Sequence, residues 1–331
     1  LGTPPQSGAQ TGWSFSVLPD PRSSSARPVF STYTDAAGAI WYGCGSSLCL
    51  RRDGVSRDVG AELGLPDDRW EAMIGDLDGN LWVRSATQLF HRVPKAARFT
   101  AIAGVPESKN TYPALALDSV GHLLVPTNRG LARETRAGWE IVDAEEGLNT
   151  NDISSVIRDR EGSIWIGLLG SGLARWLGYN EWQNWSSHDG LSRDSIWSAL
   201  RDGNGRVWAG SQFGLNYADD ASLTGVDSGK ADSKSVWRQA KVDGLEMVRA
   251  LAMNPDGSVW VGGEPGGLRL MNPRTGQARI VKEADGGTPF GVRWLMVDHE
   301  GRVWVTSNVR PSDQQPSFCT DPSARPSTPS G

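Results

Sequence analysis

Along most of the chain, short runs of apolar and polar positions are cut by tight polar turns. Apolar residues that alternate with polar ones predict half-buried strands rather than helices. The pattern is clearest between residues 147 and 186. A polar lead-in, Gly147-Leu148-Asn149-Thr150-Asn151-Asp152, precedes a strand over Ile153 to Arg158. A turn, Asp159 to Gly162, joins it to a second strand from Ile164 to Gly167, with Trp165 as its large apolar residue. Gly172 to Trp176 reads as a third strand and Glu181 to Ser186 as a fourth. Asp suits the first position of a type I turn and Gly its last, where a positive φ is cheap. One such stretch predicts a four-stranded antiparallel meander.

The stretch recurs. The second-strand anchor falls at Trp41, Trp82, Leu124, Trp165, Trp208, Trp260 and Trp304, spaced 41, 42, 41, 43, 52 and 44 residues apart. Four-stranded units at that period predict an all-β propeller, since one sheet cannot bury both faces and needs a neighbour on each side. The expectation is a seven-bladed β-propeller of four-stranded antiparallel blades over residues 13–310. The seventh repeat breaks off after Thr306, so its blade is expected to be incomplete. A lone strand, Trp13 to Leu18, has fourth-strand character and would close that blade, leaving a weak seam at the missing third strand. Residues 1–12 are Gly/Pro/Ser/Gln-rich and read as linker. Residues 311–331 are Pro/Ser-rich and read as a disordered tail. Ala218 to Ser235 lengthens the fifth repeat and reads as a solvated loop.

Composition narrows the function. The net charge is −5 with no basic cluster, which argues against a nucleic-acid partner. No apolar run is long enough to span a membrane, and no signal peptide is visible. The chain starts at Leu1 rather than Met, so a leader could have been lost. Of three cysteines, Cys44 and Cys49 flank a Gly-Ser-Ser loop. They read either as two small half-buried apolar residues or as a pair that an oxidising compartment could join.

Comparing the copies separates architecture from candidate chemistry. Positions alike in every copy serve the blade, so Asp35, Asp76, Asp118, Asp159, Asp202 and Asp298 are read as turn residues, not six catalytic carboxylates. Their spacing does not suit a calcium loop. Positions that differ are where specificity could reside. Eleven residues before each anchor the series runs Phe30, Glu71, Pro113, Ser154, Trp197, Arg249, Arg293. This is the mouth end of the innermost strand, and its mixture suits a small polar or anionic ligand. Arg249 and Arg293 could clamp a carboxylate, and Trp197 could stack on a ring or sugar. The alternative is that these are loosely constrained strand ends facing water. Arg69, Trp70, Asp152, Arg193 and Asp194 are expected on the same rim. His91, His122, His188 and His299 pair with no repeated acid in a general-base arrangement. No metal cluster or cofactor-binding motif is visible.

Gly190-Leu191-Ser192-Arg193-Asp194-Ser195-Ile196, leading into Asp202-x-x-Gly205-x-x-Trp208-x-Gly210 and Gly214-Leu215, resembles the two-component regulator propeller repeat. Gly147-Leu148 through Gly172-Leu173 does so too. The resemblance covers about residues 13–307 and weakens in the third copy, where Leu124 replaces Trp. It implies the periplasmic sensor region of a membrane signalling protein whose output is a histidine kinase or a diguanylate cyclase. Trp41-Tyr42-Gly43-Cys44-Gly45 and Asp78 to Thr87 look most like sensors of the cyclase type. The expected partners are a small-molecule or glycan ligand and C-terminal signalling modules, with the membrane reached only through parts outside this chain. A homodimer is compatible with this. A streptogramin-lyase-like propeller enzyme is the alternative, suggested by Asp256-Gly257-Ser258-Val259-Trp260. It would need a channel-facing His, acidic partners and Mg²⁺, and no His here falls at a channel position. A purely structural propeller that docks a protein is the third reading.

Overall fold

The computed structural model describes residues 2–3, 14–15, 21, 28–108, 114–178, 181–224, 236–265, 267–281 and 291–307. Those residues form four-stranded antiparallel sheets, and six of them are propeller blades built from strands consecutive in the chain. Their innermost strands are Val29–Thr34, Ala72–Gly75, Ala116–Leu117, Ile153–Arg158, Ile196–Arg201 and Leu245–Met253. Each innermost strand pairs with the anchor-bearing second strand, as Val156 does with Ile166.

The expectation of seven blades is corrected here. The six blades are followed by a composite sheet rather than a seventh blade of the same kind. Its inner pair, Val292–Val297 and Val303–Ser307, is consecutive in the chain, but its outer strands are Gly2–Thr3 and Ser14–Phe15. Gly2 pairs with Val303 and, on its other side, with Phe15. The third strand therefore comes from the segment expected to be linker, so the sheet has four strands where an incomplete one was expected. The physical reason is that ladder hydrogen bonds come from the backbone: a two-residue strand can cover the exposed edge without any apolar alternation to announce it. The tail over 311–331 lies outside the described residues. The fifth-repeat insertion is not loop throughout, because Asp220–Thr224 is a short helix whose Leu223 is fully buried against Trp185 and Trp237.

The turn of each repeat is fixed by one side chain. In the fourth blade Asp159 Oδ1 accepts the Ser163 backbone N–H at 2.8 Å, and Oδ2 accepts the Trp165 indole N–H at 2.8 Å. The indole bond recurs at 3.0 Å for Asp35 with Trp41, 2.8 Å for Asp76 with Trp82, 2.9 Å for Asp202 with Trp208 and 2.9 Å for Asp298 with Trp304. Asn254 takes the role towards Trp260 at 3.4 Å. The rings then fill the space between blades. Trp165, for example, packs with Leu173, Ile196 and Val207, so it bridges the fourth and fifth blades. Burying a ring of that size removes roughly 200 Å² from water. Two residues beyond the anchor, Gly43, Gly167, Gly210 and Gly262 let the next blade approach. A Cβ at Gly43 would collide with the Trp70 carbonyl oxygen.

Candidate functional site

The innermost strands converge on a central cavity of about 310 Å³. Every sheet contributes to its wall, the third through Ala114 and Leu115 just before its innermost strand and the others through the described residues ten and eleven before the anchor. Of the series singled out in the sequence, Phe30, Glu71, Ser154, Trp197, Arg249 and Arg293 all line this cavity. Pro113 lies outside the described residues.

Two charged clusters stand at the lip. In the first, Arg69 reaches Glu71 at 2.7 Å and lays its guanidinium 4.2 Å from the centre of the Phe30 ring. The Glu71 side chain is 6% exposed, against 51% for that of Arg69. Burial therefore dominates and pushes the Glu71 carboxyl up to about 7, although Arg69, Arg293 and Arg84 pull the other way and Asp68 adds to the rise. Arg84, from the neighbouring strand, is itself buried, and burial brings its guanidinium down to about 10 with Glu71 opposing. In the second cluster, Arg249 lies 4.7 Å over the Trp197 ring, and its Nε stands 3.3 Å from Glu264. A guanidinium over an indole face is held by the ring quadrupole, a contact that strengthens as water is excluded.

The wall below the lip carries hydroxyls. Ser154 Oγ contacts the carbonyl oxygens of Gly167 and Ile196, tying the fourth blade to the fifth. Ser31 Oγ donates to the Trp70 carbonyl at 2.8 Å and ties the first blade to the second. Ser155 Oγ, Ser198 Oγ and Thr306 Oγ1 are buried with no hydrogen-bond partner among the described residues, and all three residues line the cavity.

The rim residues expected from the lead-in loops fare differently. Arg69 joins the first lip cluster. Trp70 does not face the rim: it is fully buried between the first and second blades, edge-on to Phe90 at 5.6 Å. The lead-in loop turns its large ring inward because apolar area gains more there than at a wet rim. Asp152 is exposed and holds the Leu169 N–H with its backbone carbonyl at 2.9 Å. Arg193 is exposed and covers the Phe213 ring at 4.6 Å. Asp194 ties down its own loop through the Ser187 hydroxyl at 3.1 Å. Asp152, Arg193 and Asp194 do not line the cavity.

Reading the sequence at position −11 alone missed Ser155, Ser198 and Trp294 at position −10, and Thr306 and Arg84 two residues past the anchor. The −10 series (Ser31, Ala72, Ala114, Ser155, Ser198, Ala250, Trp294) also varies between copies, and Arg84 stands where four copies carry glycine. Both departures were available as signals.

Cys44 and Cys49 are joined by a disulfide across the second and third strands of the first blade. With Asp58 they form a group of metal-ligand type, but bonded sulfurs cannot offer thiolates, and Asp58 accepts the Ser47 hydroxyl at 2.7 Å. No helix among the described residues is long and apolar enough to cross a membrane.

Residues 147–170 match the family model described as two component regulator propeller. No curated protein matches the chain. Among solved structures, the extracellular domain of a protein described as a hybrid two component system from B. thetaiotaomicron superposes with a TM-score of 0.70 at 18% identity, over 88% of this chain and 38% of that one. A second such domain from the same organism gives 0.65 at 17% identity, over 86% and 38%. A streptogramin B lyase gives 0.65 at 11% identity, over 88% and 93%. At these identities the likeness is one of fold. The chain spans 38% of the length of each of the two signalling domains.

Proposed function

We propose that this chain is the sensor propeller of a membrane signalling protein, placed outside the cytoplasm, and that it binds a small polar ligand in its central cavity. The observation that carries the reading is the cavity itself. Its polar and charged residues stand at positions at which the repeats disagree, while the turn positions at which they agree are spent on blade architecture. The match of residues 147–170 to the regulator propeller model and the likeness in fold to extracellular domains of signalling proteins support the sensor role. The Cys44–Cys49 disulfide suits an oxidising compartment such as the periplasm. The output, a histidine kinase or a diguanylate cyclase, is a separate module. A ligand that prefers one arrangement of propeller and output would shift the population towards it.

The lyase reading has the weaker support. Glu71 is the one acidic residue on the described cavity wall, and no His faces it. His122 instead joins Asp118 in the third-blade turn, and His91 packs against the Trp82 ring.

The test is a thermal-shift screen of sugars, amino acids and organic acids, run on the wild type and on Ala199→Trp. Ala199 lines the cavity, and an indole there would fill it. The expected result is stabilisation of the wild type by at least one compound and none of the filled variant. A compound that stabilises both equally would place recognition elsewhere and overturn the reading.

A further inference from the structure

The charged groups on the described cavity wall are two arginines and one carboxylate. Arg249 and Arg293 only donate. Ser155 Oγ, Ser198 Oγ and Thr306 Oγ1 each carry a hydroxyl with no partner among the described residues, and Thr306 is 1% exposed. Those hydroxyls are buried and can accept as well as donate, so the preference for a guest that accepts comes from the two arginines. Between these groups the wall is apolar, with Val156, Ala199, Leu251 and Leu295 among its surfaces. A guest that satisfies both demands has an acceptor-rich anionic head and an apolar body.

Glu71 is the group that opposes such a guest. It is the one carboxylate on the described wall and sits at the lip. We infer that the cavity takes a small monoanion with an apolar body, a carboxylate in the simplest case, and that its uptake is coupled to protonation of Glu71. This rests on the reading of the cavity as a ligand site.

The surroundings of Glu71 make the coupling workable. Arg69 and Asp68 face it from its own loop, Arg84 from the adjoining strand and Arg293 from the composite sheet. Burial among them holds its carboxyl at about 7, so near neutral pH the group takes a proton at little cost. Protonation removes the charge that would repel the guest and the attraction that draws Arg69 and Arg293 to Glu71, while Arg249 keeps its contact with Glu264. An anion in the cavity in turn raises the affinity of Glu71 for its proton, because the two linkages are reciprocal. The sign follows. Affinity for an anion is greatest below pH 7 and falls as pH rises through it, by about tenfold between pH 6 and pH 8 for one proton. A neutral guest would show little of this, and a cation would show the reverse.

The experiment is calorimetric titration of the whole chain with benzoate, benzyl alcohol and benzylamine, which share a ring and differ in charge, at pH 6, 7 and 8 in two buffers of different ionisation enthalpy. Benzoate is expected to bind most tightly at pH 6 and about tenfold more weakly at pH 8, with the buffer dependence revealing proton uptake that grows towards one per site as pH rises. Glu71→Gln is expected to bind benzoate with the wild-type pH 6 affinity at all three pH values. Arg293→Gln is expected to lose at least tenfold throughout. Should Glu71→Gln fail to fold, proton uptake by the wild type decides alone. Benzoate binding that is absent or flat in pH, or benzylamine binding as tight as benzoate, overturns the inference. Binding of a neutral compound to the wild type but not to Ala199→Trp, without benzoate binding, would sink the anion class while leaving the cavity as a ligand site. Failure of every compound, in this series and in the screen, would remove both.

Discussion

Arg133 does for Asp118 what an indole does for the other turn aspartates. In the third blade Leu124 stands at the anchor position, and Asp118 Oδ2 accepts the Arg133 Nε–H at 2.9 Å instead. His122 Nδ1 lies 3.0 Å from the same oxygen. Burial alone would push the Asp118 carboxyl up, but the hydrogen bonds from Arg133 and His122 together outweigh it and hold it below the ordinary carboxylate range. The degenerate repeat has therefore kept the turn by recruiting a donor from its third strand.

Arg133→Gln is expected to destabilise the protein by about 1–3 kcal/mol, because a part-buried carboxylate loses its strongest donor. Asp118 has a depressed folded-state pKa, so its contribution is present above the unfolded value and lost as pH falls through the folded one. The variant should thus lose more stability relative to wild type near neutral pH than in acid. Denaturant melts at pH 7 and pH 3 check this.

Glu71 acts in the opposite sense on the empty protein. Its folded-state pKa is raised from 4.5 to about 7, so its contribution is fully present below 4.5 and lost as pH rises through about 7. The loss is at most about 3 kcal/mol. Glu71→Gln is expected to melt higher than wild type at pH 8 and close to it at pH 4. Equal melting temperatures at pH 8 would show that the carboxylate is solvated in the folded state.

Gly43 and Gly210 permit neighbouring blades to touch. An added Cβ at Gly210 would come within 2.7 Å of Val248 Cγ1 and 2.8 Å of the Val248 carbonyl oxygen. Neither backbone can retreat without parting two blades, so Gly210→Ala and Gly43→Ala are each expected to cost several kcal/mol, on the order of an overpacked core. Substituting Gly38, whose Cβ would meet nothing, with Asn is the control for turn strain alone.

The Cys44–Cys49 bond closes a short loop, since the two are five residues apart. The chain-entropy account gives about 2 kcal/mol for a loop of that size. The Cys44→Ser, Cys49→Ser double variant should lose that amount, and a reducing agent should lower the wild-type melting temperature without affecting the variant.

Much of the fold could be read from the sequence because each blade repeats one grammar. Asp159 and Trp165 are six residues apart in a spacing that recurs, so the turn, its indole bond and the inter-blade ring come as a unit. Gly2–Thr3 was illegible because two residues of backbone pairing leave no side-chain pattern. The direction of Trp70 is illegible for a related reason: a lead-in loop has no fixed period, so nothing in the sequence says which way its ring turns. The cavity lip was legible through Phe30, Glu71, Trp197, Arg249 and Arg293, since strand position fixes direction. Ser155 and Ser198 are legible only through the variation of the −10 series between copies, since a lone serine at a strand end looks like any other.

The central claim is that recognition lies on the innermost strands and not in the repeated turns. Trp197 and Trp294 line the cavity, whereas Trp41, Trp82, Trp165, Trp208, Trp260 and Trp304 give their indole N–H groups to turn side chains. An ¹⁵N spectrum of the indole groups, assigned by single Trp→Phe variants, reads both sets at once during titration with a compound that stabilises the wild type. The Trp197 and Trp294 resonances are expected to move and the six turn-bonded ones to stay. Movement of the turn-bonded set with Trp197 and Trp294 unchanged would contradict the central claim.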